Sequence, residues 1–363
     1  MIRVAYDTGP LHGPRTGIGV AVEQLSLALA ASSPDVELHP YLLSFRATIR
    51  PGTTRLRYPA AAALRTWARF GTPRPDRRLG DVDVVHGTNY VVPPSRRPRL
   101  VSVYDCWALD NPERVHRDVR LMIAALRRAI DDGAHVHASS HATAARLREH
   151  FPHAPTTVVH LGAPPIRPVK EPGEGRDSIV PDTGNLFVAI GTVERRTNLP
   201  FLVSLFDDVV AVVPDARLVL VGAAGDDQSA VVAARDRLRH RDRVHLLGRV
   251  DAPTLSGLTG RARVLAYPSL DEGFGFPVLE AMAAGVPVVA SAVGSIPEVA
   301  GDAALLRRCD DRAGWTEALS TALTDESVRH RLATAGTARL AAFDWTRTAS
   351  EMTALYTDLA TRG

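Results

Sequence analysis

Ten short apolar runs limit what this chain can fold into. IRVAY, DVDVVHG, LVSVYD, AHVHAS and TTVVHLG come first, then LFVAIG, ARLVLVG, RVHLLG, RVLAYPS and VPVVAS. Each is closed by Gly, Pro, Asp or Ser and separated from the next by a stretch of helical character. Such runs read as parallel strands buried on both faces, and two series of them read as two doubly wound α/β halves. A chain of 363 residues is long enough to give each half its own core. Between the series lies PPIRPVKEPGEGRDSIVPDTGN, rich in Pro, Gly and charge, which reads as a linker. The expected division is therefore a first domain over 1–168, a linker over 169–183, a second domain over 184–344 and a closing segment over 345–363. That segment carries Trp345, Met352, Leu355, Tyr356 and Leu359 at helical spacing and must pack its apolar face on one of the halves.

Composition excludes several classes. Two distant cysteines, Cys106 and Cys309, make neither a disulfide framework nor a metal cluster. Met1 leads straight into a strand-like run without the regions of a signal peptide, and no apolar run reaches spanning length, so a cytoplasmic setting is expected. Net charge is +3, and Lys170 is the only lysine among 43 basic residues; this bias toward arginine does not form the aromatic-interleaved pattern of a nucleic-acid binder. Residues 55–78, RLRYPAAAALRTWARFGTPRPDRR, combine arginines with Tyr58, Trp67 and Phe70. They are read as a solvated helix lining a cleft in preference to a peripheral membrane contact. His137 and His141 have a spacing seen in metal pairs but fall across HASSHAT, so they read as turn and cap residues, and no metal site is expected.

The stretch SLDEGFGFPVLEAMAAGVPVVAS carries the chemistry. Pro277 suits the first turn of a helix and Gly285 its end, which predicts a helix over PVLEAMAA. Gly273 and Gly275 leave backbone N–H groups uncovered just before a helix N-terminus, a combination that suits phosphate. Glu280 can accept both hydrogens of a ribose diol, and Glu272, in the preceding loop, can reach a second sugar. A plain turn with a dipole-compensating glutamate remains the alternative on spacing alone.

The same stretch resembles the signature of retaining glycosyltransferases of family four, in which two glutamates flank seven residues. VGSIPEVAGDAALL, RVHLLGRVDAPTLSGL, AIGTVERRTNLPFLVSLF and FDWTRTASEMTALY resemble further segments of that family. RTGIGVAVEQL, VVHGTNYVVPP, SVYDCWALDNPE, VHASSHATAARL and VVHLGAPP do so in the first half. The resemblance implies the GT-B fold, an α/β architecture of two Rossmann-like lobes facing across a cleft, with the closing helix packed back on the first lobe. It implies no cofactor, but a nucleoside diphosphate sugar as co-substrate, UDP-sugar favoured over GDP-sugar, and a hydroxyl acceptor held mainly by the first lobe. It assigns Glu280 to the donor ribose, and Glu272 with Gly273, Phe274, Gly275 and Phe276 to the transferred sugar. Pro277 and Val278 then face the diphosphate, Arg249 and Val250 lie near the base, Gly17 and Gly19 form a glycine loop beside the phosphates, and Arg196 neutralises the leaving group. Glu272, Arg196 and Asp105 are the catalytic candidates, and Tyr104 with Asp105 the acceptor or sugar contacts.

Two positions depart from the family pattern. Thr197 stands where a lysine is usual, giving one hydrogen-bond donor and no charge toward a leaving diphosphate. Tyr104 stands where a histidine is usual. The implied activity is a retaining, metal-independent transfer to a small polar natural product or cell-envelope glycan. The departures keep open a non-catalytic nucleotide-sugar-binding or partner subunit, and the two-lobe fold alone also allows an epimerase.

Overall fold

The computed structural model describes residues 1–13, 16–165 and 184–362. Seven strands in the first part of the chain are Ile2–Asp7 (β1), Val36–Leu43 (β2), Thr54–Leu56 (β3), Val84–Gly87 (β4), Arg99–Val103 (β5), His135–Ala138 (β6) and Thr156–Val158 (β7). Six follow: Leu186–Ile190 (β8), Arg217–Val221 (β9), Val244–Gly248 (β10), Val264–Tyr267 (β11), Val288–Ser291 (β12) and Ala304–Arg307 (β13). They form two all-parallel sheets, in the orders β3-β2-β1-β4-β5-β6-β7 and β10-β9-β8-β11-β12-β13. In each, the first strand of its series lies inside the sheet and the strand order reverses beside it, the Rossmann-like arrangement expected from the sequence. β2, β3 and β13 were not among the expected strands. β2 carries His39 and Pro40 and is buried at only two of eight positions, while β3 and β13 are short outer strands, and the run AALL that enters β13 is half-buried at all four strand positions instead of buried on two sides.

The chain divides into two compact units, Met1–Gly162 with Phe343–Gly363, and Ala163–Ala342. The expected linker, 169–183, lies outside the described residues. In the first unit the two-residue period of the strands sorts side chains into two cores. Val4, Tyr6, Val84 and Leu100 meet the helices Gly17–Ser32 and Trp345–Arg362, while Ala5, Val85, Val101 and Val136 meet the helix Arg117–Asp131. The closing helix thus packs on the first unit, burying Met352, Leu355, Tyr356 and Leu359. Complete burial of each such aliphatic side chain contributes roughly 1.5–3 kcal/mol. Gly162 makes room for it, since a Cβ there would lie 2.4 Å from the Trp345 ring.

A line of buried polar groups ties that helix to the sheet. His86 Nδ1 lies 2.7 Å from the Tyr356 hydroxyl, His86 Nε2 2.8 Å from Ser102 Oγ, Ser102 Oγ 2.8 Å from His137 Nδ1, and His137 Nε2 3.0 Å from the Val159 carbonyl. The carbonyl can only accept, so His137 donates through Nε2 and accepts from Ser102. Ser102 in turn accepts from His86 Nε2, and Tyr356 donates to His86 Nδ1; one proton arrangement satisfies every member. Burial holds both imidazoles neutral, His137 down to about 4 and His86 well below its ordinary value. This corrects the reading of His137 as a turn residue: it is a core residue of β6. The cap of the next helix, His141–His150, is Ser140, which accepts from the Thr143 N–H, and His141 is exposed in its first turn.

Among the described residues no helix is long and apolar enough to cross a membrane. Residues 55–78 contain the helix Ala60–Phe70, which buries Ala63, Leu64 and Trp67 beside Ala125 and leaves Phe70 exposed.

Candidate active site

In the second unit the signature stretch connects β11 to β12 at the carboxyl edge of the sheet, the edge where open α/β sheets bind ligands. Residues 268–275 form a loop, and the helix Phe276–Ala283 follows, one residue earlier than expected at each end. Gly275 takes the left-handed conformation at φ 86°, and no side chain caps the helix behind it. Pro277 has no N–H and the Val278 N–H donates to the Gly275 carbonyl, so among the described residues an anion at this helix start would meet the N–H groups of Gly275 and Phe276. Phe274 is buried and meets Phe276 edge-on at 5.4 Å, which fixes the two sides of the glycine turn. Pro277 and Val278 belong to the first turn, and Glu280 is half-buried in the second.

Glu272 is the most constrained group of the loop. Its Oε1 accepts from Arg196 Nη1 at 2.5 Å, Tyr267 hydroxyl at 2.7 Å and Ser269 hydroxyl at 3.1 Å. No donor among the described residues reaches Oε2. The carboxylate is 8% exposed, and these donors compensate its burial. Burial and the neighbouring carboxylate push the Tyr267 hydroxyl well above its usual range, and it remains a donor. The backbone is held as firmly: Leu270 N–H donates to the Arg196 carbonyl, Ser295 N–H to the Glu272 carbonyl, and Arg196 Nη1 also to the Asp271 carbonyl. Gly294, at φ 51°, presses directly on this loop; a Cβ there would lie 2.3 Å from the Glu272 carbonyl oxygen.

Arg196 and Thr197 stand on a short 3-10 turn, Arg195–Thr197, after β8. The structure gives them different duties. Arg196 locks Glu272 in place. Thr197 is buried, its hydroxyl 2.7 Å from the Glu194 carbonyl and 3.0 Å from that of Thr192, and it accepts from the Glu194 N–H. It closes its own turn as a cap and does not offer the donor that the sequence suggested. Arg195 is exposed on the same turn, with its N–H bonded to Asp226. Arg249 is exposed and Val250 half-buried between β10 and the helix Ala252–Arg261, again at the carboxyl edge.

In the first unit, Gly17 and Gly19 lie inside the helix Gly17–Ser32, in its first turn, and not in a loop before it; Thr16 caps that helix by accepting from the Gly19 N–H. Gly19 is needed because a Cβ would come within 2.9 Å of the Pro10 carbonyl. Tyr104 is 6% exposed, and its hydroxyl is buried without a hydrogen-bond partner among the described residues, the nearby Ser102 being engaged by two histidines. It is thus a packed residue against His137 and does not present its hydroxyl openly to a sugar, as had been expected. Asp105 is half-buried, accepting at Oδ1 from the Tyr90 hydroxyl and the Trp107 N–H, both at 3.0 Å.

Sequence reasoning missed Asp7 and Asn89. Asp7 ends β1 at its carboxyl edge, and burial pushes its carboxyl up to about 7 against hydrogen bonds from Gly9 and Thr88. Asn89 follows β4 in a fold-back that requires Gly87, where a Cβ would meet the Val91 carbonyl at 1.9 Å, and that puts Tyr90 at φ 57°. The signal available was their position just beyond apolar strands.

Comparison with known proteins agrees with this layout. Residues 174–339 match the family model described as glycosyl transferases group 1. The chain is 28% identical over 385 residues to O-antigen chain mannosyltransferase B of Escherichia coli, covering 95% of this chain and 96% of that one. Among solved structures it resembles sucrose-phosphate synthase from Thermosynechococcus elongatus (TM-score 0.74, 20% identity, 100% of both chains). It also resembles Anabaena HepE in complex with UDP and glucose (TM-score 0.69, 18% identity, 99% of this chain and 100% of that one).

Proposed function

The chain is a glycosyltransferase of group 1 with the GT-B fold, and from that premise we propose that it moves a sugar, with retention at the anomeric carbon, from a nucleoside diphosphate sugar to an acceptor hydroxyl. The observation that carries the reading is Glu272, held by Arg196, Tyr267 and Ser269 with one oxygen unclaimed, immediately ahead of an uncapped helix start. Such a pair of features suits a sugar joined to a phosphate: the carboxylate orients sugar hydroxyls, and the open N–H groups and helix dipole take the diphosphate.

In the proposed reaction the bond between the anomeric carbon and the phosphate oxygen breaks while the acceptor oxygen bonds to the same face. The acceptor proton passes to the departing phosphate oxygen, so no side-chain base is required. Arg196 stabilises the charge that accumulates on the leaving group, Glu280 holds the ribose, and Arg249 and Val250 flank the base. A UDP-sugar is the favoured donor, in keeping with the UDP held by the Anabaena relative in fold. A cell-envelope glycan or small polar natural product is the acceptor class, in keeping with the O-antigen name of the Escherichia coli relative. The proposed setting is cytoplasmic and the transfer independent of metal.

The test is thermal stabilisation, without metal, by the diphosphates of uridine, guanosine, adenosine and thymidine on wild type and Glu280→Ala. The expected result is a rise with the uridine nucleotide that the variant loses. No response to any nucleotide overturns the donor site; a response without release of nucleotide from the sugar donor in the presence of acceptors overturns catalysis and leaves a binding subunit.

A further inference from the structure

A pocket of ≈ 250 Å³ opens at the carboxyl edge of the first sheet. Asp7 and Tyr41 border it from the ends of β1 and β2, Asn89 from the turn beyond β4, and Leu64, Trp67 and Met122 from the helices Ala60–Phe70 and Arg117–Asp131. Its size lies near the lower end of small-ligand sites, about 300–1,000 Å³, which suits one ring and not an extended chain.

Two features of its wall define the occupant. Asn89 Oδ1 is buried without a hydrogen-bond partner among the described residues, an acceptor that a ligand hydroxyl would satisfy. Asp7 is the only charged residue among the described lining residues, and the titratable groups that face it, Tyr6, Tyr41 and Tyr104, are kept protonated by burial. Among the described residues, a phosphate placed here would meet a carboxyl group and no cation.

We propose that this pocket seats an uncharged, hydroxylated ring of the acceptor, a sugar or cyclitol without phosphate, its C–H face on Leu64, Trp67 and Met122 and its hydroxyls donating to Asn89 and Asp7. The inference rests on the transferase reading above and adds which acceptors that activity selects. Because the Asp7 carboxyl titrates near neutrality, the exclusion of phosphate strengthens as pH rises through 7.

The experiment is ligand-detected saturation-transfer NMR on the full chain with myo-inositol, methyl mannoside and the monophosphates of the same rings, at pH 6 and pH 8. The neutral rings are expected to bind, and their monophosphates to bind weaker by on the order of tenfold at the higher pH. Asp7→Asn should narrow that gap and flatten its difference between the two pH values, which separates Asp7 from the ionisation of the phosphate itself. Met122→Trp, which fills the pocket, should abolish ring binding. Nucleoside diphosphate stabilisation, measured on each sample, reports the second unit separately. Ring binding without a nucleotide response supports the pocket while sinking the donor site. Three results overturn the proposal: monophosphates binding as well as neutral rings; no ring bound by protein that still responds to nucleotide; or ring binding unchanged in both variants.

Discussion

Gly294 and Gly285 lie nine residues apart, both with positive φ, and they make a matched pair for asking whether the loop of Glu272 must be held where it is. At Gly285, φ 69°, an added Cβ meets nothing within 4 Å. Gly285→Ala should cost only the left-handed conformation, about 1–2 kcal/mol, and leave turnover intact. At Gly294, φ 51°, the Cβ would lie 2.3 Å from the Glu272 carbonyl oxygen, 2.8 Å from its N and 2.9 Å from Asp271 Oδ1. Backbone atoms of the loop would have to retreat by roughly 0.7 Å, the order of displacement for which misplaced catalytic groups lose up to ~100-fold in rate. Overpacking of this kind adds about 1–3 kcal/mol to the conformational cost. Gly294→Ala should therefore be less stable than Gly285→Ala by that amount in urea unfolding. Its kcat for release of nucleoside diphosphate should fall by an order of magnitude or more, with stability checked at the assay temperature. If Gly294→Ala retains kcat within about twofold of Gly285→Ala, the claim that Glu272 acts from one fixed position is refuted.

Arg196→Met should strip the main cation from a buried carboxylate, lowering kcat by on the order of 10²–10³ and destabilising the second unit by about 3 kcal/mol, read by steady-state kinetics and calorimetry. Tyr356→Phe leaves His86 Nδ1 buried without its donor and should cost about 1–3 kcal/mol in the first unit without altering nucleotide binding. In acid, His137 is neutral when folded, with its pKa down to about 4, but charges below its usual 6.5 when unfolded. The unfolded chain then binds more protons, so the contribution is complete above pH 6.5 and declines toward pH 4 by about 3 kcal/mol. Asp7, raised to about 7, works in the opposite direction over the same range, so the measurement is the difference in urea midpoint between wild type and His137→Gln across pH 4–7. A difference that does not vary with pH contradicts the buried neutral imidazole.

The architecture was legible because two-sided burial writes itself into composition: Val84, Val101, Val136, Val219 and Leu265 are all fully buried strand residues within continuous apolar runs. Where burial is partial the record thins, and β2, with Glu37, His39 and Pro40 among its residues, left no such run. The glycine turn at Gly275 and the helix behind it could be read because φ > 0 and an N-terminal proline are local demands. The duties of Thr197 and Tyr104 could not. Whether a hydroxyl faces a ligand or closes its own turn depends on rotamer and neighbours, and Thr197 chose Glu194 and Thr192. Asp7 and Asn89 escaped notice because their environment is assembled from segments far apart in sequence, with helices at 60–70 and 117–131 closing over them.

The first unit is completed by residues 343–363, after the whole of 163–342 has intervened. On the ribosome, the second unit is therefore the first that can finish. It needs nothing synthesised later than residue 342, while β1 and β4 wait with one face only partly covered, by the helix Gly17–Ser32, for the helix that carries Tyr356, 270 residues beyond His86. Prior folding of 163–342 replaces a long floppy loop with a compact body and so lowers the entropy of bringing that helix home. Nascent chains arrested before residue 345 should hold a protease-resistant second unit and a first unit that is still digested.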